Sequence, residues 1–224
     1  MTRRIVIGVV VVVSVVAIVL GPQAFDYLRF ERNLADAAKA SEADGGAWPQ
    51  RADECTLCHG HQGDSVNQVY ADLAGQPAEY LAAQLHAFAD GHRASPFMAP
   101  LAMTLNDGDV DRLSAHFARQ TATNNDTFAP DAALSAQGKH LSGSCAACHG
   151  DRFMGRDRNP RLAGQGYDYL LAQMNAYADN TRSDPTGAMN ALAAALSDVD
   201  RRAVATYLAS YPVAENVEGD HESN

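Results

Sequence analysis

The sequence predicts an all-α protein: an N-terminal transmembrane helix followed by two tandem helical domains related by an internal repeat. Three observations predict it. Apolar residues recur at helical spacing in several segments, and no run alternates with the period of two that marks a strand. A set of short landmarks recurs in the same order about 90 residues further on, as a duplicated unit requires. An unbroken apolar run follows a basic pair at the N-terminus.

That run extends from Ile5 to Leu20, behind Arg3 and Arg4, and is broken by Gly21-Pro22. As a helix it rises about 24 Å, a little short of the roughly 20 residues that usually span a bilayer. Ala24, Phe25, Tyr27, Leu28 and Phe30 continue the apolar and aromatic trend. The basic pair favours a cytoplasmic N-terminus. A cleavable signal peptide has the same basic and apolar regions, but no clean small-x-small site follows. Residues 1–24 are therefore expected to be a membrane anchor, with a cleaved signal as the alternative. Residues 31–50 are polar and alanine-rich and close with Gly45-Gly46-Ala47-Trp48-Pro49, and 25–49 are expected to be a stalk.

The repeat places one domain at 50–121, a linker at 122–130, a second domain at 131–212 and an acidic tail at 213–224. Leu73-Ala74-Gly75-Gln76 returns as Leu162-Ala163-Gly164-Gln165, Tyr80-Leu81 as Tyr169-Leu170, Arg93 as Arg182 and Pro96 as Pro185. Asn106-Asp107 answers to Ser197-Asp198. Between Ala78 and Asp90, Leu81, Leu85 and Phe88 share one helical face, and Leu170, Met174 and Tyr177 do so in the second copy. Asn106 can cap a helix with Asp109 in its first turn and Val110, Leu113 and Phe117 on its inner side. Ser197 caps the last helix, whose apolar face is Val204, Tyr207 and Leu208. Ala132 to Leu141 reads as a helix leading into the second copy. Its counterpart before Cys55 is poor in apolar residues, so an irregular start is expected there. Asn124-Asn125-Asp126 marks the linker between the copies. Neither copy buries much apolar surface with its own side chains, so a large apolar group must complete each core.

Two pentapeptides identify that group. Cys55-Thr56-Leu57-Cys58-His59 and Cys145-Ala146-Ala147-Cys148-His149 use all 4 cysteines of the chain. Each is Cys-x-x-Cys-His, the attachment signature of haem c. Two thiols three residues apart can form thioethers to the two vinyl groups of one porphyrin, and the next residue then lies under the iron. Cys55 and Cys58, with Cys145 and Cys148, are expected to hold two covalent haems, with His59 and His149 as proximal ligands. A shared zinc site explains the cysteines but not a histidine directly after each pair. A redox dithiol expects a βαβ context that is absent, and two disulfides remain as a third alternative.

The sixth ligand separates an electron carrier from an enzyme. Met98 and Met189 each stand eight residues before the final helix cap of their copy, which singles them out among the 6 methionines. Met103 matches Ala194, Met174 matches Leu85 on a helix face, and Met154 lies in the loop after the second motif. His61, His86, His92, His116, His140 and His221 have no counterpart in the other copy. Tyr80, Arg93, Tyr169 and Arg182 recur and are candidate propionate contacts, with a surface salt bridge or helix packing as the alternative. Gln76 and Gln165 read as turn residues. The loop Asp151–Arg158 carries three arginines against two aspartates, so the Cys145 haem is expected to have the higher potential.

With these motifs in order, the chain resembles the two-domain, two-haem cytochrome c4 family over about residues 50–212. The resemblance implies a dihaem electron carrier, and a backbone carbonyl from a proline that receives the proximal histidine's N–H. Pro160 stands at that place in the second domain, and Ala71 in the first. Covalent haem attachment places the domains in the bacterial periplasm, on the outer side of the inner membrane. Expected partners are a quinol-oxidising complex and a terminal oxidase or reductase, with a fixed place in a dehydrogenase or oxidase complex as the alternative. A dihaem peroxidase needs one open iron position, against which methionine at both sites argues. The formal charge is −10; outside the membrane segment 15 basic residues face 27 acidic ones. Such a surface excludes nucleic-acid binding and is steered toward basic docking patches.

Overall fold

Helical periodicity and helix caps set the architecture. The computed structural model describes residues 51–213, together with Gly21, Tyr27, Leu28, Glu31 and Arg32 of the N-terminal unit, residues 1–50. Those five residues are helical, and the Tyr27 hydroxyl donates to Glu31 at 2.8 Å, one turn on. The expected membrane helix over Ile5–Leu20, most of the stalk and the acidic tail beyond Val213 lie outside the described residues. Among the described residues no helix is long and apolar enough to cross a membrane.

The first repeat contains α1 (Asp53–His59), a 3₁₀ turn (His61–Gly63), α2 (Ala78–Ala89), α3 (Met98–Ala102) and α4 (Asp107–Ala118). The second contains α5 (Ala132–Leu141), a 3₁₀ turn (Ser142–Cys145), α6 (Ala146–His149), α7 (Tyr167–Ala178), α8 (Ala188–Ala195) and α9 (Asp198–Ala209). There is no strand among the described residues. The expected caps form on both repeats as reciprocal boxes. Asn106 Oδ1 accepts from the Asp109 backbone at 2.9 Å while Asp109 accepts from Asn106 N. Ser197 and Asp200 do the same at the start of α9. Two backbone donors that a helix start leaves unpaired are satisfied each time. Asp131 caps α5 by accepting from Leu134 N at 2.9 Å.

The apolar stripes face inward as expected. In the first repeat α2 packs on α3 and α4, and Ala52, Leu81, Leu113 and Phe117 form a small core with Leu73, Leu85 and Leu105 around it. The second core is larger: Phe153, Leu170, Met174, Val204, Leu208 and Val213, with Tyr207 and Tyr211 edge-on to Phe153. There α9 packs on α5 and α7. The α5–α9 crossing is so close that a Cβ at Gly138 would stand 2.0 Å from the Ala203 carbonyl oxygen. Gly138 is buried in mid-helix, where glycine costs about 1 kcal/mol against alanine; backbone contact is the compensation.

The short helices α3 and α8 were not visible as periodic segments. At 5 and 8 residues they hold barely one or two turns. The linker is tied down at several points. Asn124 Oδ1 accepts from Val213 N at 2.8 Å, Asn125 exchanges amide hydrogen bonds with Gln68, and Phe128 stacks on Tyr167 at 4.9 Å.

Candidate haem sites

The first Cys-x-x-Cys-His lies within α1 and the second runs from the end of the 3₁₀ turn through α6; both helices end at the histidine, because the next residue turns the chain sharply. Gly60 has φ 78° and Gly150 φ 83°, a region glycine enters without Cβ strain. A side chain at Gly60 would also meet the Asp64 carbonyl oxygen at 2.1 Å. The four thiols are free, Cys55 and Cys145 half-buried and Cys58 and Cys148 exposed. Among the described residues no group of three or more His, Cys, Asp or Glu is placed to hold a metal ion between them. Burial, with help from Glu54 and Cys58, pushes the Cys55 thiol up to about 11, and burial raises Cys145 as well. A redox-active dithiol needs the opposite, a depressed thiol pKa.

The two histidines are held alike. His59 Nδ1 lies 2.7 Å from the Ala71 carbonyl oxygen, and His149 Nδ1 lies 2.8 Å from that of Pro160. A carbonyl can only accept, so Nδ1 carries the proton and Nε2 keeps its lone pair. Ala71 thus serves as the proline does. Burial, against the pull of those carbonyl bonds, lowers both imidazole pKa values, which favours the neutral ring that an iron ligand requires. The donor set is therefore suited to haem c twice over: two thiols, and an imidazole aimed by a bond at its far nitrogen.

Met98 is the first residue of α3 and Met189 the second of α8, and both are half-buried. The Met98 N–H donates to Ser95 Oγ at 3.1 Å and the Met189 N–H to Asp184 Oδ2 at 3.5 Å, so side-chain acceptors hold both turns. Met103 is 71 % exposed, Met174 is inside the second core, and Met154 packs against that core.

Tyr80, Arg93, Tyr169 and Arg182 are brought together where the repeats meet. Arg93 Nη2 donates to the Tyr169 hydroxyl at 3.1 Å, and Arg182 Nη2 donates to the Tyr80 hydroxyl at 3.3 Å. Gln84 and Gln173 each accept from both arginines, at 2.7–2.9 Å. The Arg93 and Arg182 backbones form an isolated antiparallel bridge, and their guanidiniums lie over Phe88 and Tyr177 at 4.5 and 4.6 Å. Among the described residues every acceptor these two cations reach is neutral. Against the opposing effect of burial, both cations pull the Tyr169 hydroxyl below its usual pKa. The charge of Arg93 reaches His59 as well. Gln84 and Gln173 are identical residues at matched positions, a signal present in the sequence.

Below this cluster the Leu-Ala-Gly-Gln segments lock the repeats together. Gln76 bonds the backbone N–H and carbonyl of Arg161, at 2.9 Å each, and Gln165 bonds those of Asp72 at 3.0 and 2.5 Å. These glutamines are inter-repeat clamps rather than turn residues alone. Asp72 and Arg161, both buried, pair at 2.9 Å.

A helical fold in which a carbonyl-anchored histidine ends each paired-thiol helix defines a c-type cytochrome: an electron-transfer protein with covalently bound haem c. A family model described as cytochrome c matches residues 135–212. Cytochrome c4 of Thiocapsa roseopersicina is 36% identical over 167 residues, 69% of this chain and 85% of that one. A thiosulfate dehydrogenase electron acceptor of Thiomonas intermedia is 34% identical over 187 residues, 78% of this chain and 86% of its own. The crystal structure of reduced recombinant cytochrome c4 from Pseudomonas stutzeri superposes with a TM-score of 0.68 at 28% identity, covering 76% of this chain and 98% of that chain. The chain belongs to the cytochrome c4 family.

Burial pushes the Asp72 carboxyl up to about 6 despite Arg161, against about 3.9 in an unfolded chain. The folded state therefore binds more protons between those values. This contribution to stability is present in full below about pH 4 and is lost as pH rises through about 6. Compared with Asp72→Asn, the wild type should gain up to about 1.4 kcal/mol per pH unit on acidification through that window. Urea denaturation at stepped pH measures the difference, and parallel pH profiles for the two proteins would refute it.

Proposed function

We propose that the chain is a dihaem electron carrier tethered to the periplasmic face of a bacterial inner membrane. The observation that carries this reading is the duplicated thiol-pair helix whose histidine is fixed through Nδ1 and free at Nε2. Bound haem c supplies a one-electron ferric–ferrous couple. Cys55 and Cys58 would hold one group and Cys145 and Cys148 the other, with His59 and His149 offering Nε2 to the irons. Met98 and Met189 would supply thioether sulfur as the second protein ligand of each iron, which favours the ferrous state relative to a second imidazole. Their matched places at the starts of α3 and α8 support this, as does the exposure of Met103. Arg93, Arg182, Tyr80 and Tyr169 receive propionates: two guanidiniums among neutral acceptors suit an anion. With a histidine and a methionine at each iron no position would remain for peroxide, which favours a carrier over a peroxidase.

The purified protein should contain two haems per chain by intact mass. Its oxidised spectrum should show the weak red band of an iron–thioether bond, and Met98→Ala and Met189→Ala should each remove about half. An unchanged band in Met98→Ala would transfer the ligand role to Met103.

The acidic surface is suited to a basic docking face. Electrons pass from a quinol-oxidising complex to a terminal oxidase or reductase. A second reading, as the acceptor for a thiosulfate dehydrogenase, is favoured by the name of the Thiomonas intermedia relative. Stopped-flow reduction of the oxidised protein separates them. The quinol-oxidising complex with quinol should reduce it faster than thiosulfate dehydrogenase with thiosulfate, and the reverse order establishes the second reading.

The apolar run from Ile5 to Leu20 holds the chain to the membrane. High-salt washing should therefore leave it in the membrane fraction while detergent releases it. A mature chain starting near Phe25 in the soluble periplasm would refute the anchor.

A further inference from the structure

The two methionine turns are held by unlike means. Ser95 and Asp184 stand at matched places, directly before Pro96 and Pro185, and each side chain accepts from the backbone N–H of its repeat's methionine. In the first repeat this is a single neutral bond, Met98 N to Ser95 Oγ at 3.1 Å. In the second, Asp184 Oδ2 gathers three donors: the Thr186 hydroxyl at 2.5 Å, Ala188 N at 2.9 Å and, more weakly, Met189 N at 3.5 Å. Asp184 is itself fixed through its backbone. Its N–H donates to Asn190 Oδ1 at 3.0 Å, and its carbonyl accepts from Gly187 N at 2.9 Å. Asn190 Nδ2 lies 2.8 Å from the Arg182 carbonyl oxygen, 2.9 Å from that of Tyr177 and 3.1 Å from Asn180 Oδ1. Asn190 thus fastens the start of α8 to the end of α7 and to the backbone at Arg182. Ala99 directly follows Met98, as Asn190 follows Met189, and its methyl group can make no such bonds.

We propose that Asp184, braced by Asn190, is a positioning residue for the second thioether ligand, and that the first iron, whose methionine turn receives only the Ser95 hydroxyl, is the one that opens to an incoming ligand. This rests on the reading above in which Met98 and Met189 are axial ligands. A thioether competes for the iron with any free base that reaches it, and its side chain yields the place more readily when its turn gives way. Hydrogen bonds to an ionised acceptor are roughly twice as strong as neutral ones. A carboxylate at a helix N-terminus is further favoured by the helix dipole. Both effects act at α8, and the hydroxyl of Ser95 supplies neither at α3. The turns also differ in length: Asp184 stands five residues before Met189, and Ser95 three before Met98. The longer turn passes through Gly187 at φ 72°, a left-handed conformation that glycine enters without Cβ strain. That turn brings the Ala188 and Met189 donors round to one carboxylate oxygen.

The test uses the full-length oxidised holoprotein in detergent, with imidazole as the incoming ligand and the red iron–thioether band as the readout. Met98→Ala should leave only the Met189 band, and Met189→Ala only the Met98 band. If either substitution leaves the band whole, the ligand reading fails and this inference fails with it. With the bands assigned, the Met98 band should be lost at about tenfold lower imidazole than the Met189 band, the worth of one hydrogen bond to a charged group. Asp184→Asn, added to Met98→Ala, should lower the imidazole needed to remove the Met189 band several-fold. Asn190→Ala should act in the same direction, and it serves if the Asp184 variant does not fold. Neither substitution should move the Met98 band when placed in Met189→Ala, whereas a general loosening of the fold would move both. The inference is overturned, with the ligand reading intact, if the Met98 band outlasts the Met189 band. It is overturned equally if these variants hold two haems and keep the original imidazole midpoint of the Met189 band.

Discussion

One hydrogen bond, made twice, governs the arrangement of the rest: from a proximal histidine's Nδ1 to a backbone carbonyl eleven or twelve residues on. It leaves Nε2 as the only lone pair of the ring and fixes the plane in which that lone pair points. It also ties the thiol-pair helix to the stretch containing Leu-Ala-Gly-Gln. The same stretch, through Gln76 and Gln165, bonds the backbone of the other repeat. Ligand orientation and inter-repeat packing are thus two ends of one short segment. A disturbance at the seam reaches the anchored histidine within a few residues.

The two repeats meet these demands with unequal means. The second has a broad aromatic and aliphatic core, a proline carbonyl behind its histidine and a tightly crossed α5–α9 pair. The first has a smaller cluster and an alanine carbonyl. The cytochrome c family model matches residues 135–212, within the second repeat. Both repeats nonetheless arrive at nearly the same histidine geometry, because a carbonyl's acceptor strength does not depend on the side chain that follows its Cα.

Much of this was legible in the sequence because it depends on local chemistry. The span Ala132–Leu141 and the caps at Asn106 and Ser197 follow from side chains that satisfy nearby backbone donors. The repeated tyrosines and arginines were found because they are identical at matched positions. Their meeting with each other was not foreseen, since a one-dimensional repeat does not say which faces touch. The helices α3 and α8 are too short to show a period. The Asp72–Arg161 pair escaped for a different reason: a search for likeness finds equal residues at equal places, whereas complementarity across a pseudo-twofold seam puts unlike residues there.

That last contrast bears on how such a molecule can arise. In a symmetric dimer of a single repeat, a residue at the centre of the seam faces its own copy. Aspartate there would bury two carboxylates against each other, and arginine two guanidiniums, either at a cost of several kcal/mol. A pair of opposite charges at equivalent positions is open only to two halves that differ in sequence. Asp72 and Arg161 therefore record divergence after duplication: a site where the fused protein holds an interaction that no homodimeric precursor could have held.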